Sequence, residues 1–178
     1  MPRVNKVDSA RKTPGTCGKC GCDIAKGEPY VWWKFRFGGK RVRCAKPACA
    51  PKPQDLTQSE FKSAIYDLQE RTFDTSSIES LEADRDEVVS EVEQLRDEQE
   101  EKKSNMPDGL QEGATGELLQ ERFDALDSAA SELQDVDVTD LDDKEDDETD
   151  DAFAERCEQH REELAGELSD VLQNISCG

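Results

Sequence analysis

Histidine is nearly absent: the 178 residues include seven cysteines but a single histidine, His160, and none before it. A hydrolytic zinc site needs an open coordination position, usually among histidine and carboxylate ligands, so the cysteine-rich N-terminal region is poorly equipped for one. The many carboxylates lie in no pocket-forming context, and no enzymatic activity is expected. Aromatic residues make up only 6% and hydrophobic residues 34%, against 37% charged. Such a chain cannot bury one large core along its whole length. No apolar run approaches the roughly 20 residues that cross a bilayer, so no membrane association is expected. The opening MPRVNKVDSARKTPG lacks the apolar segment of a secretory signal. A reducing, cytoplasmic setting follows as the expectation, and there clustered cysteines favour metal over disulfide.

What the sequence does have is unevenly placed. Residues 1–54 carry thirteen Lys/Arg against three acids, whereas residues 55–178 carry ten against forty, for a net charge of −20 overall. The acidic part reads either as an interaction or solubilising tail or as the acid-biased surface of a protein from a high-salt cytoplasm. On either reading the basic head stands out, and a polyanion is the partner such a head implies.

The head is organised around Cys17 to Cys49. Cys17-x-x-Cys20 has the spacing of a knuckle turn that aims two thiolates at one ion, with Gly18 and Gly21 suiting the turn. Cys44 and Cys49, four residues apart around Pro47, supply a second, wider pair. Zinc is the expected cofactor, with Cys17, Cys20, Cys44 and Cys49 as ligands; Cys22 is a competitor for the place of Cys20. Between the pairs, Glu28 to Phe37 and Lys40 to Cys44 read as a hairpin turning at Gly38-Gly39. Alternation puts Val31, Trp33, Phe35 and Phe37 on a core face and Tyr30, Trp32, Lys34 and Arg36 on the other. A hairpin this small needs a metal clip.

The remaining segments divide readily. Residues 1–16 are expected to be a flexible basic arm, and residues 17–74 a zinc-binding module closed by a helix from about Gln58 to Glu70. That helix starts at the capping box Thr57-x-x-Glu60 and carries Phe61, Ala64, Ile65 and Leu68 on one face. Residues 75–135 read as an antiparallel helical hairpin. Ser76-x-x-Glu79 opens it, Ile78, Leu81, Val88, Val92 and Leu95 keep heptad steps with Arg85 in one slot, and Leu119, Phe123, Leu126, Ala130 and Leu133 repeat them. A coiled-coil homodimer through the first stripe is the alternative to a monomer. Residues 136–151 are expected to be a disordered acidic linker, and residues 152–178 an amphipathic helix on Phe153, Cys157, His160, Leu164, Leu168, Val171 and Ile175. Cys157, His160 and Cys177 lack a fourth ligand and read as packing residues rather than a second metal site. The fold class is thus α+β: a small zinc module of treble-clef or zinc-ribbon type, a coiled-coil hairpin, and an acidic tail with a C-terminal helix.

The run Cys17-x-x-Cys20, Ile24, Gly27, Tyr30, Trp32/Trp33 with a basic hairpin and a second ligand pair resembles the poly(ADP-ribose) polymerase-type zinc finger, which implies recognition of DNA ends and breaks. It departs from that family in having Cys44 where the third ligand is usually histidine, and in its longer terminal gap. With Pro53, Leu56, Thr57 and Ser59 opening the next helix, and with MPDGLQEG and LLQERFDAL downstream, the chain also resembles small zinc-finger proteins of bacteriophages and archaeal viruses. The leading expectation is a nonenzymatic module that binds nucleic acid, DNA before RNA. Lys34, Arg36, Lys40, Arg41 and Arg43 would meet phosphates while Tyr30 or Trp32 stacks on bases. The plainer rival has Trp32 and Trp33 both in the core and the charges merely solvating a small domain, and the competing functional reading is a protein adaptor whose zinc module is a docking knob and whose acidic helices bind a basic partner or mimic nucleic acid.

Overall fold

The computed structural model of the protein describes residues 1–141, 144 and 148–176. The architecture is α+β, and the chain divides into two compact units, Met1–Ala64 and Ile65–Gly178.

The first unit is built on strands β1 (Asn5–Val7), β2 (Gly15–Thr16), β3 (Asp23–Ile24), β4 (Tyr30–Lys34) and β5 (Lys40–Cys44). A three-stranded antiparallel sheet has the order β1-β4-β5, and β2 pairs with β3 separately. The expected flexible arm is therefore corrected over much of its length. Asn5 to Val7 pair with Trp32 to Tyr30, and Ala10 is buried, donating from its N–H to the Glu28 carbonyl at 3.0 Å. The physical reason is that β4 would otherwise be a sheet edge with unpaired N–H and C=O groups.

The hairpin forms, with a longer turn than two glycines. Lys34 stands opposite Lys40, so residues 35–39 make the connection. Phe35 tucks in, whereas Phe37, expected in the core, is 74% exposed. Alternation cannot extend past Lys34, where pairing stops. Tyr30 also departs from its expected outward role, because it packs with Val42 and Cys22 against the buried cluster of Cys17, Ile24, Cys44 and Cys49. Trp33 is buried on the opposite face of the sheet. Each face of this short sheet thus has its own small core.

Helix α1 (Glu60–Gln69) begins two residues later than its sequence signal. The Ser59 hydroxyl accepts from the Lys62 N–H, while Thr57 takes the Ser59 N–H, so Ser59 is the cap. The division between the two units falls inside this helix, after Ala64.

The second unit is helical: α2 (Ile78–Ser104), α3 (Asp108–Gln111), α4 (Ala114–Asp135) and α5 (Asp150–Asn174). Ser77, not Ser76, caps α2 by accepting from the Ser80 N–H at 3.1 Å. The antiparallel register of α2 and α4 is fixed by Arg96 with Asp127 at 3.1 Å and Lys103 with Gln120 at 2.7 Å. Leu81, Val88 and Val92 on α2, and Leu119, Leu126 and Leu133 on α4, are buried. Ile78, Leu95 and Phe123 of the same stripes are half-buried, so most of both stripes is covered within one chain. Arg85, the charged resident of the stripe, donates to the Val136 carbonyl at 3.3 Å. Gly116 allows α4 to start close to α3, since a Cβ there would collide with the Gln111 backbone.

Helix α5 packs on α2 and α4 through Leu164, Leu168 and Leu172, the last absent from the predicted stripe. Val138 is buried and the Thr139 carbonyl meets His160 Nε2 at 3.0 Å, so the segment read as disordered starts with packed residues. Asp142, Asp143 and residues 145–147 of that segment lie outside the described residues, as does Cys177. No helix is long and apolar enough to cross a membrane.

Candidate metal centre

Three pieces of backbone bring four thiols together. Cys17 and Cys20 sit on a knuckle between β2 and β3, held by Cys17 N–H to Cys22 C=O at 2.8 Å and Gly21 N–H to Cys17 C=O at 3.0 Å. Gly21 has φ +70°, the left-handed conformation that the turn demands and that side chains resist. Cys44 ends β5. Cys49 closes a short 3₁₀ turn, Pro47–Cys49, from which the Cys49 N–H bonds back to the Lys46 carbonyl. The wide gap between the second pair of cysteines is this turn, with Pro47 at its first position, where a missing N–H costs nothing.

The Sγ atoms of Cys17, Cys20, Cys44 and Cys49 lie within 4.8 Å of one another. A tetrahedral zinc with bonds of about 2.3 Å holds its sulfurs about 3.8 Å apart, and Cys20 and Cys44 already stand at 3.7 Å. Cys17, Cys44 and Cys49 are buried and Cys20 is exposed. The group fits a metal ion such as zinc. Cys22 stands beside this group, its sulfur 3.1 Å from that of Cys20.

Protonation in the metal-free cluster is uneven. Burial pushes the Cys17 thiol up, but backbone hydrogen bonds from Cys20, Cys44 and Lys19 more than offset this and bring it down to about 5. Hydrogen bonding from Cys22 also holds Cys20 below its ordinary value. The neighbouring sulfurs have the opposite effect elsewhere: Cys20 and then burial raise Cys22 to about 12, and Cys44 and then burial raise Cys49 to about 12. The cluster therefore offers a preformed thiolate at Cys17 and must give up the Cys49 proton to close a four-sulfur site.

Next to the centre, the hairpin sorts the predicted contact residues by face. Opposed residues share a face, and Tyr30 opposes Cys44, Trp32 opposes Val42 and Lys34 opposes Lys40. On this side the Lys40 ammonium lies 4.6 Å from the Trp32 ring and 5.4 Å from the Tyr30 ring. Arg36 is in the turn, 5.3 Å over Phe37. Arg41 and Arg43 occupy the other side, over Phe35 at 5.2 Å and Trp33 at 5.4 Å. Arg43 is further held by Asp55 through both guanidinium nitrogens, one at 2.7 Å, and Asp55 also accepts from the Lys52 N–H. Its side chain is only 12% exposed. The seven predicted contact residues do not form one patch: Tyr30, Trp32, Lys34 and Lys40 do, Arg36 adjoins the turn, and Arg41 and Arg43 stand behind the sheet.

Comparison with protein-family models, with curated proteins and with solved structures finds no match. The likeness to finger families therefore rests on the residues of the Cys17 to Ser59 pattern and on the MPDGLQEG and LLQERFDAL stretches alone. Phe37 is the surface residue that sequence reasoning missed; the Gly-Gly immediately after it was the signal, since a turn ends strand alternation. At the far end of the chain, His160 is occupied by the Thr139 carbonyl. Among the described residues the four-cysteine cluster is the one group that fits a metal ion.

Proposed function

We propose that the protein is a nonenzymatic zinc-finger protein that binds nucleic acid, DNA in preference to RNA, through the aromatic and basic face of its β4–β5 hairpin. What supports this reading is the lysine seated on two half-buried rings: Lys40 over Trp32 and Tyr30, with Lys34 across from it. Rings of this kind stack on bases or pack on sugars, and the ammonium groups neutralise phosphates. Arg36 and the exposed Phe37 extend the face at the turn. Zinc is the ion that four closely spaced thiolates favour, and a closed set of four sulfurs has a structural role rather than a hydrolytic one. The resemblance to virus-borne fingers agrees with this proposal, and a reducing, cytoplasmic setting is part of it.

Two variants test it. Trp32→Ala should weaken binding of a single-stranded oligonucleotide by about 1–3 kcal/mol. Lys34→Gln with Lys40→Gln should lower the salt slope by about one unit for each phosphate that is no longer neutralised. Unchanged affinity and slope in both would exclude this face.

A second reading has its own observation. Within Ile65–Gly178, nine Lys/Arg face thirty-eight Asp/Glu. Arg71, Arg85, Arg96 and Arg161 are each engaged by carboxylates of the same unit. A basic protein partner for the acidic helices fits that surface, in place of or beside nucleic acid on the first unit.

A further inference from the structure

The four-sulfur set leaves one thiol of the first unit unspent. Cys17, Cys20, Cys22, Cys44 and Cys49 all fall within Met1–Ala64, and Cys22 is the one outside the set. Its sulfur is nonetheless 3.1 Å from that of Cys20. Gly21 lies between the two at φ +70°, and the turn it makes is held by the Cys17 N–H donating to the Cys22 carbonyl at 2.8 Å. Cys22 thereby packs against the cluster of Cys17, Ile24, Cys44 and Cys49. Exposure separates the ligands as well. Cys17, Cys44 and Cys49 are buried, Cys20 is exposed and Cys22 is half-buried. The one ligand open to solvent is therefore the one with a spare thiol beside it.

We infer that Cys20 and Cys22 are a redox pair through which a hydroperoxide unloads the metal centre. Their sulfurs stand 3.1 Å apart and bond at about 2.05 Å, so a shift of about 1 Å closes the pair. The Cys20 thiolate attacks one peroxide oxygen, the O–O bond breaks and the other oxygen leaves as hydroxide, which gives a sulfenic acid on Cys20. The Cys22 sulfur then attacks the Cys20 sulfur, the S–O bond breaks, and the hydroxyl departs as water with the Cys22 proton. Each sulfur has given up one electron, and the peroxide has taken both. A solvent-accessible cysteine with a second thiol at hand to resolve its sulfenic acid is the usual make-up of a redox sensor. The thiolate is the metal ligand, so a disulfide at Cys20 cuts the set to three sulfurs and opens the closed site. An exposed disulfide is readily reduced again, which restores the fourth ligand. The switch rests on zinc ligation by the four-cysteine set and is independent of nucleic acid.

The test treats the zinc-loaded full chain with a small excess of hydrogen peroxide, alkylates the remaining thiols and digests with trypsin. Cleavage after Lys19 and Lys26 gives a peptide, residues 20–26, that holds Cys20 and Cys22 and no other cysteine. This peptide should appear two hydrogens lighter and without alkyl groups, with one zinc released to a colorimetric chelator for each peptide so linked. Dithiothreitol and fresh zinc should return the chain to its zinc-bound mass under native conditions. Cys22→Ser keeps all four ligands; it should lose the light peptide, carry added oxygen on Cys20 instead, and release zinc more slowly. Zinc loss that leaves the 20–26 peptide doubly alkylated, a link from Cys20 to Cys17 on the neighbouring peptide 13–19, or equal rates of release from both chains would overturn the switch. A chain that holds no zinc before peroxide is added would overturn the ligand reading itself, and the switch with it.

Discussion

Removing the metal should separate the two halves of the molecule experimentally. The first compact unit is 64 residues, Met1–Ala64, and a unit that size has a net stability of roughly 3–10 kcal/mol. Structural zinc in finger-like sites contributes about 10–16 kcal/mol of apparent binding free energy at neutral pH, most of it expressed as folding. Loss of the ion therefore exceeds the whole net stability, and the unit should unfold rather than loosen. The chain's two tryptophans, Trp32 and Trp33, both lie on β4 in this unit, while the long helices α2, α4 and α5 belong to the other. Adding a strong chelator should shift tryptophan emission to the red, as Trp33 moves from 1% exposure into water, and leave most ellipticity at 222 nm in place. Tryptophan emission that stays blue after metal analysis confirms removal would refute the claim that the ion holds this unit together.

Three further outcomes follow from named atoms. Cys22→Ser should keep one metal per chain by mass spectrometry under native conditions, because the four-thiol group excludes Cys22, whereas Cys49→Ser should lose it. Metal binding should release at least one proton at pH 7, read with an indicator dye, because Cys49 is pushed up to about 12 in the metal-free cluster and must ionise to bind; affinity should accordingly rise with pH and fail on acidification. Gly116→Ala should destabilise the helical unit by about 1–3 kcal/mol, the usual cost of forcing atoms into an occupied space, since its Cβ meets the Gln111 backbone. Thermal melting at 222 nm should show this loss, with tryptophan emission unaffected below the transition.

The parts of this structure that were legible from the residues share a local cause. A two-residue cysteine spacing, a β hairpin and heptad steps each depend on neighbours in sequence, so Cys17 with Cys20, the β4–β5 pairing and the α2–α4 hairpin could be anticipated, and Leu81, Val88, Val92, Leu126 and Leu133 are buried as their spacing implies. The misses are all matters of partners far along the chain or of short elements without a period. Strand β1 is three residues long and owes its existence to the edge of β4. Asp55 holds Arg43 across twelve residues, a pairing that no local spacing announces. Val138 is buried at the start of an acidic run because apolar contact outweighs the composition of its neighbours. The caps moved by one or two residues because Ser59 and Ser77 compete with Thr57 and Ser76 for the same role.

The central claim, a zinc-clipped hairpin that binds nucleic acid, is tested most directly by fluorescence anisotropy. Labelled single- and double-stranded DNA and RNA of equal length would be titrated with the full chain, with zinc and with chelator, at two salt concentrations. The expected result is saturable binding that is tighter for DNA, falls steeply as salt rises, and disappears with the chelator. Absence of binding to every probe by the zinc-loaded protein at low salt, or binding that is indifferent to both chelator and salt, would contradict it.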